Sequence, residues 1–225
     1  MFSKWGSPQS KLAALVLLPL GLSLMHPTRA AAQNLVNNGN FELGNTGFST
    51  DYTYWTGNNS GSGPGGYQIG NNADNDNALW VDPETPGSNN YMYVDGSMTP
   101  DQSFFTQNVQ GITAGKTYLI SASFASLYNE NDPLLVFKNG DNAISSTYDI
   151  NNVGSWKTYS FDWTATSNTL NLDLVDQDLV HDGNDFAVDN ISVRAVPEAS
   201  TIVLFSLLAG AGILLLRKRS ASAAA

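Results

Sequence analysis

The stretch that decides the fold is Lys116–Ser126, which reads KTYLISASFAS. Its larger apolar residues alternate with small or polar ones. One side of an extended chain would therefore carry Tyr118, Ile120, Ala122 and Phe124. A period of two residues is typical of a β-strand with one buried face. The stretch predicts a strand and excludes an amphipathic helix.

The same alternation recurs along the chain. The segment 169–176 (TLNLDLVD) alternates leucines with Asn and Asp, and 156–165 (WKTYSFDWTA) alternates Tyr159, Phe161 and Trp163 with polar residues. The other predicted strands are 34–43, 48–55, 78–82, 90–96, 103–110, 134–140, 143–150 and 185–193. About ten short strands without helical periodicity predict a single all-β domain, a β-sandwich or jelly roll.

The N-terminal region predicts a signal peptide over residues 1–32. Lys4 and Lys11 precede an uncharged apolar run over 12–25, and Ala30 and Ala32 form a small-residue cleavage site before Gln33. A basic start, a short apolar middle and a small-residue end are the marks of a secretory leader. The alternative is a short buried core helix. We expect the protein to be exported.

The region between the two ends is strongly acidic. From Gln33 to Arg194 it contains four basic and 19 acidic residues, which gives a net charge of −15. Such a domain repels nucleic acid and anionic lipid, so we expect no nucleic-acid partner. It offers carboxylates to divalent cations. The chain has no cysteine, so no disulfide stabilises it.

The C-terminal region combines Val196-Pro197-Glu198, an uncharged apolar stretch over 201–216 and a basic cluster over 217–219. As a helix the stretch would be about 24 Å long, and the basic residues after it would stay in the cytoplasm. One interpretation is an ordinary membrane anchor. Residues 196–225 also resemble the PEP-CTERM sorting signal of bacterial exported proteins, although Ala199 replaces the second proline of that motif.

The PEP-CTERM resemblance implies processing by an exosortase. It also implies a location in the cell envelope or outside the cell, with the helix over 201–216 as a temporary or permanent anchor in the inner membrane. The sequence does not distinguish a cleaved tail from a retained one.

The region 33–195 resembles the galactose-binding-like jelly rolls, which include many bacterial carbohydrate-binding modules. The similarity lies in 34–44 (NLVNNGNFELG), 183–193 (GNDFAVDNISV), 110–126 and 154–176. The resemblance implies that the first and last strands lie close together with a structural calcium ion between them. Its ligands would be Glu42 and Asp189, with Asp185 as a third candidate.

The residues of the last strand support a calcium site independently. Simple alternation places Asp189 on the same side as Ala187, Ile191 and Val193. A carboxylate on an apolar side must be hydrogen-bonded, protonated or metal-bound, and calcium prefers oxygen ligands. The alternatives are that Asp189 caps a turn or pairs with a basic residue, and that Asp185 bonds the adjacent loop.

Aromatic residues beside the Asn-rich loops are candidates for stacking on sugar rings. Trp55, Tyr67 and Trp80 are the predicted carbohydrate-binding residues. Further aromatic residues close to them in sequence or pattern are Tyr52, Tyr54 and Tyr128. The alternative for each is a place in the core or at its rim.

Catalysis is not expected. His181 is the only histidine after the predicted leader, so no Ser-His-Asp or Cys-His constellation can form. The favoured function is a non-catalytic surface protein that binds envelope polysaccharide. One alternative is a structural matrix or adhesion protein with calcium-dependent protein contacts and no sugar site. The other is a glycan-cleaving enzyme.

Overall fold

In a computed structural model of the protein, the alternating stretch of residues 116–126 forms a long central strand. The structure describes residues 32–57, 63–75, 77–83, 89–180 and 182–197, which belong to one compact unit. The strands are β1 (Thr53–Tyr54), β2 (Gly66–Gly70), β3 (Tyr91–Asp95), β4 (Ser103–Val109), β5 (Thr117–Ser126), β6 (Leu134–Asn139), β7 (Asn142–Ala143), β8 (Tyr148–Asp149), β9 (Lys157–Thr164), β10 (Leu170–Asp176) and β11 (Phe186–Ala195).

The strands form two sheets. The first sheet has the order β1-β2-β3-β11-β5-β9, and the second has the order β4-β10-β6-β7 with β8 also paired to β6. All pairs are antiparallel except β1–β2. The described residues contain no α-helix, and a short 3-10 turn spans Ala73–Asn75. The predicted all-β sandwich is confirmed at this level.

A hydrophobic core fills the space between the sheets. The predicted inward faces of β5, β9 and β10 supply it, as shown by Phe124, Tyr159 and Leu172. The second sheet adds Phe105 and Phe137. Burial of these side chains stabilises the fold by roughly 25 cal/mol for each Å² of apolar surface removed from water.

Several predicted strand boundaries were wrong. Residues 36–40 form turns, because Asn38 adopts a φ of 52° and Phe41 a φ of 53°, which an extended strand does not allow. Residues 78–82 are also irregular, and 143–150 contains only the last residue of β7 and the two-residue strand β8. Strand β2 was not predicted, since its sequence GYQIG has glycines at both ends.

The segment after residue 33 nevertheless lies against the last strand. Leu35 N donates to Val193 O (2.9 Å), and Ile191 N donates to Gly39 O (2.8 Å). The Asn34 side chain donates to Ile191 O and accepts from Val193 N, both at 3.0 Å. A Cβ atom at residue 39 would overlap the Ile191 carbonyl oxygen. Glycine is therefore required where the two segments cross.

A bulge in β11 changes which residues share a face. The pairing with β5 shifts between Asp189 and Ser192, and Asn190 adopts a φ of 55°. An inserted residue of this kind reverses the alternation beyond it. Ile191 and Val193 therefore face the core, whereas Asp189 lies opposite Ser123 on the outer side of the sheet. The predicted placement of Asp189 beside Ile191 and Val193 was wrong.

The predicted C-terminal signal begins directly after β11. Val196 N donates to Thr117 O (2.9 Å), and Pro197, which has no N–H, follows it. Glu198, the predicted membrane helix over 201–216 and the basic cluster over 217–219 lie outside the described residues, as do residues 1–31 of the predicted signal peptide. Within the described ranges, no helix has the length and apolar character needed to cross a membrane.

Candidate functional site

A second cluster of apolar side chains covers part of the outer side of the six-stranded sheet. We call it the aromatic face; it consists of the rings of Trp55, Trp80, Tyr91, Tyr93, Tyr128 and Trp156 with small residues beneath them. Strand β3 supplies Tyr91 and Tyr93 on one side, while Met92 and Val94 enter the inter-sheet core on the other. Both sides of β3 are therefore buried.

Small residues on the neighbouring strands make room for these rings. Ala187 of β11 lies opposite both Tyr93 of β3 and Ala125 of β5. Larger side chains at the two alanine positions would fill the space that the rings occupy. The aromatic face therefore has a rigid sheet below it.

The rings pack edge to face. The Tyr91 ring centroid lies 5.7 Å from that of Tyr93 and 5.5 Å from that of Trp156, and the Trp80 and Tyr93 centroids are 6.2 Å apart. Such pairs contribute about 0.5–1.5 kcal/mol beyond their burial. The contacts hold these four rings in place.

The loop that carries Trp80 is bonded to the sheet. Trp80 Nε1 donates to Asp185 Oδ2 (2.9 Å), and Val81 N donates to Leu127 O (2.7 Å). The Tyr91 hydroxyl donates to the Asp82 carboxylate. These bonds explain why Trp80 is only 4% exposed.

Two of the three predicted carbohydrate-binding residues, Trp55 and Trp80, lie in the aromatic face, whereas Tyr67 does not. Trp55 is half-buried in the aromatic face, where its ring covers Gly66 so closely that a Cβ there would overlap it. Trp80 is buried between its own loop and the sheet. Tyr67 is 3% exposed in the inter-sheet core and donates to Asn45 Oδ1 (2.9 Å), so its ring cannot stack on a sugar.

Trp156 was missed by the sequence prediction. Like Trp55 and Tyr128 it is half-buried, so part of its ring reaches the surface. The alternation of β9 contained the signal. Trp156 falls on the side opposite Tyr159, Phe161 and Trp163, where a large aromatic residue interrupts an otherwise polar face.

Two of the predicted calcium ligands interact. Asp189 lies at the β11 bulge, where its carboxylate accepts bonds from Asn190 N (2.6 Å) and Asn190 Nδ2 (2.9 Å). Burial raises the pKa of Asp189 to about 7; the Asn190 amide opposes this rise, and the Glu42 charge adds to it. Glu42 Oε1 also accepts from Asn90 N (3.1 Å).

This pair fits a cation with oxygen ligands. The ion pair found among the described residues is Lys138–Asp101, so no Lys or Arg of that part of the chain neutralises Glu42 or Asp189. A carboxylate whose pKa is raised by a neighbouring negative charge, as that of Asp189 is by Glu42, is stabilised in its charged form by a bound cation. The described residues hold no group of three or more Asp, Glu or His side chains arranged around a metal position.

Asp185 does not join the pair. It lies on the outer side four residues before Asp189, which is about 13 Å along a strand. Its carboxylate accepts the Trp80 indole N–H from the adjacent loop. Asp185 therefore lies next to the aromatic face and bonds the adjacent loop, as the alternative interpretation of this residue expected.

A buried polar pair lies at the end of β10. Asp176 is 3% exposed, and its Oδ1 accepts from Leu134 N (3.1 Å) and Asp178 N (3.0 Å). Its Oδ2 accepts from Asn184 Nδ2 (3.2 Å), while Asn184 Oδ1 is buried with no hydrogen-bond partner among the described residues. Burial raises the pKa of Asp176 to about 7 despite these donors. A surface ligand cannot reach this carboxyl.

Comparison with known proteins shows the fold. No protein-family model matches the chain, and no curated protein matches it. The N-terminal CBM22-1–CBM22-2 tandem domain of Xyn10C from Paenibacillus barcinonensis aligns with a TM-score of 0.50 and 13% identity, over 75% of this chain and 46% of that one. This likeness shows a β-sandwich fold shared with carbohydrate-binding modules.

Two further solved structures align less well. The CBM22-1 xylan-binding domain of the same Xyn10C gives a TM-score of 0.47 at 14% identity, over 75% of this chain and 98% of that one. The sugar-binding EclA C-terminal domain gives 0.38 at 22% identity, over 41% of this chain and 66% of that one. The chain thus spans just under two thirds of the EclA domain and less than half of the tandem domain.

Proposed function

We propose that the protein is a non-catalytic carbohydrate-binding protein and that sugar rings stack on its aromatic face. The observation that carries the proposal is the set of half-buried rings of Trp55, Tyr128 and Trp156 on the outer side of the six-stranded sheet. Each has a partly accessible surface and is held by buried neighbours. Sugar-binding sites use aromatic rings in this way because the apolar face of a pyranose packs on them.

The packing of these rings against buried neighbours favours binding. A ring that is already ordered loses little conformational entropy when a ligand covers it. Polar acceptors for sugar hydroxyls lie beside the rings, among them the Asp82 carboxylate next to Tyr91. The fold shared with carbohydrate-binding modules is consistent with this function.

A glycan screen with the full chain tests the proposal. Trp55→Ala and Trp156→Ala should each weaken binding about tenfold, which is the effect of losing ~1.4 kcal/mol of stacking. Tyr54→Ala is the matched control. Tyr54 is 38% exposed but packs on Tyr67 at 5.2 Å between ring centroids, away from the aromatic face, so its loss should leave affinity unchanged.

Three results would contradict the proposal in whole or in part. One is the absence of binding to any glycan by the folded protein, which would favour the structural or adhesion function. Another is release of reducing sugar from a bound polysaccharide, abolished by a single carboxylate-to-amide change, which would identify a glycan-cleaving enzyme. If the tryptophan variants bind glycan with the same affinity as the parent protein, the aromatic face is not the sugar-binding site.

We also propose that Glu42 and Asp189 hold a structural calcium ion. A ligand that binds only the folded state raises the melting temperature, so calcium should raise that of the parent protein. Glu42→Gln and Asp189→Asn should remove this increase. Asp185→Asn should keep it, because the Asp185 carboxylate bonds Trp80 instead. A calcium response that survives both Glu42→Gln and Asp189→Asn would refute the site.

Export and sorting complete the proposal. We propose that residues 1–32 are removed on export and that the C-terminal signal at Val196-Pro197-Glu198 directs exosortase processing in the cell envelope. N-terminal sequencing of the mature protein should begin at Gln33, and fractionation should find it outside the cytosol. Retention of residue 1 in a cytosolic product would rule out this route.

A further inference from the structure

Carboxyl groups surround the aromatic face. Asp185 accepts the Trp80 indole N–H, and Asp82 accepts the Tyr91 hydroxyl. Asp95 lies opposite Gly66 in the β2–β3 register, and the Trp55 ring covers Gly66. Each carboxyl therefore lies next to a ring of the aromatic face or next to a residue that such a ring covers.

The negative charge acts on the rings themselves. Burial raises the pKa of the Tyr91 hydroxyl, and the adjacent Asp82 raises it further through its hydrogen bond and its charge. A group that approaches the surface above Tyr91 therefore enters a region of negative potential.

The basic residues of the described part of the chain lie far from the rings, except Lys157, which directly follows Trp156 but directs its side chain to the opposite side of the sheet. Lys138 pairs with Asp101 on the second sheet (3.1 Å), and Lys157 places its Nζ 4.8 Å from the ring centroid of Tyr159, a residue of the inter-sheet core. Arg194 donates to Ala32 O and Ser192 Oγ; it lies seven residues beyond Ala187, about 20 Å along β11. Lys116 precedes β5, about 30 Å from Ala125.

On the premise that the aromatic face binds sugar, we propose that it selects uncharged polysaccharides and rejects chains that carry carboxylate or sulfate groups. An anionic sugar stacked on Trp55 or Trp156 would be repelled by these carboxyls, because salt screens charges only gradually, over a Debye length of about 8 Å at physiological ionic strength. No basic side chain of the described residues is placed to offset the repulsion. An uncharged sugar meets no such penalty and finds acceptors for its hydroxyls.

The test compares the same polymer with and without charge. A β-glucan, a galactan and a mannan are titrated into the full chain by calorimetry, each before and after oxidation of its primary hydroxyls to carboxylates. Each titration is run both with and without EDTA, so that bridging of acids by calcium is recognised while the proposed structural calcium stays in place in one set. Oxidation should weaken binding at least about fivefold at low salt, and the difference should shrink as salt is added.

Charge variants locate the effect. The Asp82→Asn variant keeps a side-chain oxygen that can accept the hydrogen bond from the Tyr91 hydroxyl. It should narrow the difference in affinity between each unmodified polymer and its oxidised form. Asp162→Asn is the matched control. Asp162 of β9 lies opposite Leu119 of β5. Leu119 is six residues, or about 20 Å, from Ala125 beneath the aromatic face, so this variant should leave the difference in affinity unchanged.

The outcomes separate the two proposals. Equal or tighter binding of the oxidised polymer overturns the selectivity and leaves carbohydrate binding intact. A difference that is insensitive to salt and to Asp82→Asn overturns the electrostatic origin. Binding of no polymer in either form overturns both the selectivity and the proposed function.

Discussion

Replacing Asp176 by asparagine tests the energetic consequence of burying a carboxyl at the end of β10. Its pKa rises from 3.8 to about 7, chiefly through burial. A carboxyl whose pKa is higher in the folded protein stabilises the fold when protonated. That stabilisation is fully present below pH 3.8 and is lost as the pH rises through about 7. At 1.36 kcal/mol for each of about three pH units, the loss amounts to ~4 kcal/mol.

The assay is urea unfolding of the full chain between about pH 4 and about pH 8, with the free energy of unfolding measured at each pH. Relative to the parent, Asp176→Asn should gain ~4 kcal/mol across this range, because the amide does not titrate. Asp141→Asn removes the same charge from an exposed turn and is the control. Identical pH dependence in the parent and in Asp176→Asn would refute the reasoning.

Three further substitutions, one of them with a matched control, test packing and hydrogen bonds by thermal unfolding. Gly183→Ala should lower the free energy of unfolding by more than ~3 kcal/mol, because φ is 104° and a Cβ would overlap the Glu130 carbonyl oxygen. Its control, Gly140→Ala, has a φ of 57° and open space around the new Cβ, so it should cost only about 1–2 kcal/mol. Equal losses of stability in the two variants would contradict the overlap at residue 183. Tyr67→Phe removes one hydroxyl donor and should cost about 1 kcal/mol; a cost near zero would show that this bond adds nothing. Trp80→Phe leaves a buried carboxylate without its indole donor and should cost about 1–3 kcal/mol, and an unchanged melting temperature would show that the indole bond does not hold the loop.

The sequence predicted the strands whose alternation is long and regular. β5, β9 and β10 have apolar residues at every second position, and the structure places those residues in the inter-sheet core. Where the pattern is interrupted the prediction failed. The bulge at Asn190 inserts one residue, and simple alternation cannot register such an insertion, so the faces of Ile191 and Val193 were assigned to the wrong side relative to Asp189.

The alternation pattern also could not predict contacts between segments that are far apart in the sequence. Trp80 was considered as an exposed ring, yet it is buried because its indole bonds Asp185, 105 residues away. Tyr67 was considered likewise, although β2 turns it inward. Glu42 and Asp189 were paired by resemblance and not by any local pattern; the structure brings them within electrostatic range because residues 34–39 lie along β11.

The position of β11 has a mechanical consequence. It is an interior strand, paired with β3 on one side and with β5 on the other, and the described part of the chain ends two residues after it, at Pro197. Tension applied at Pro197 would pull along the strand axis and load many bonds simultaneously in shear, instead of peeling them one by one from an edge. A domain tethered at this point would resist detachment by flow or by a receding surface.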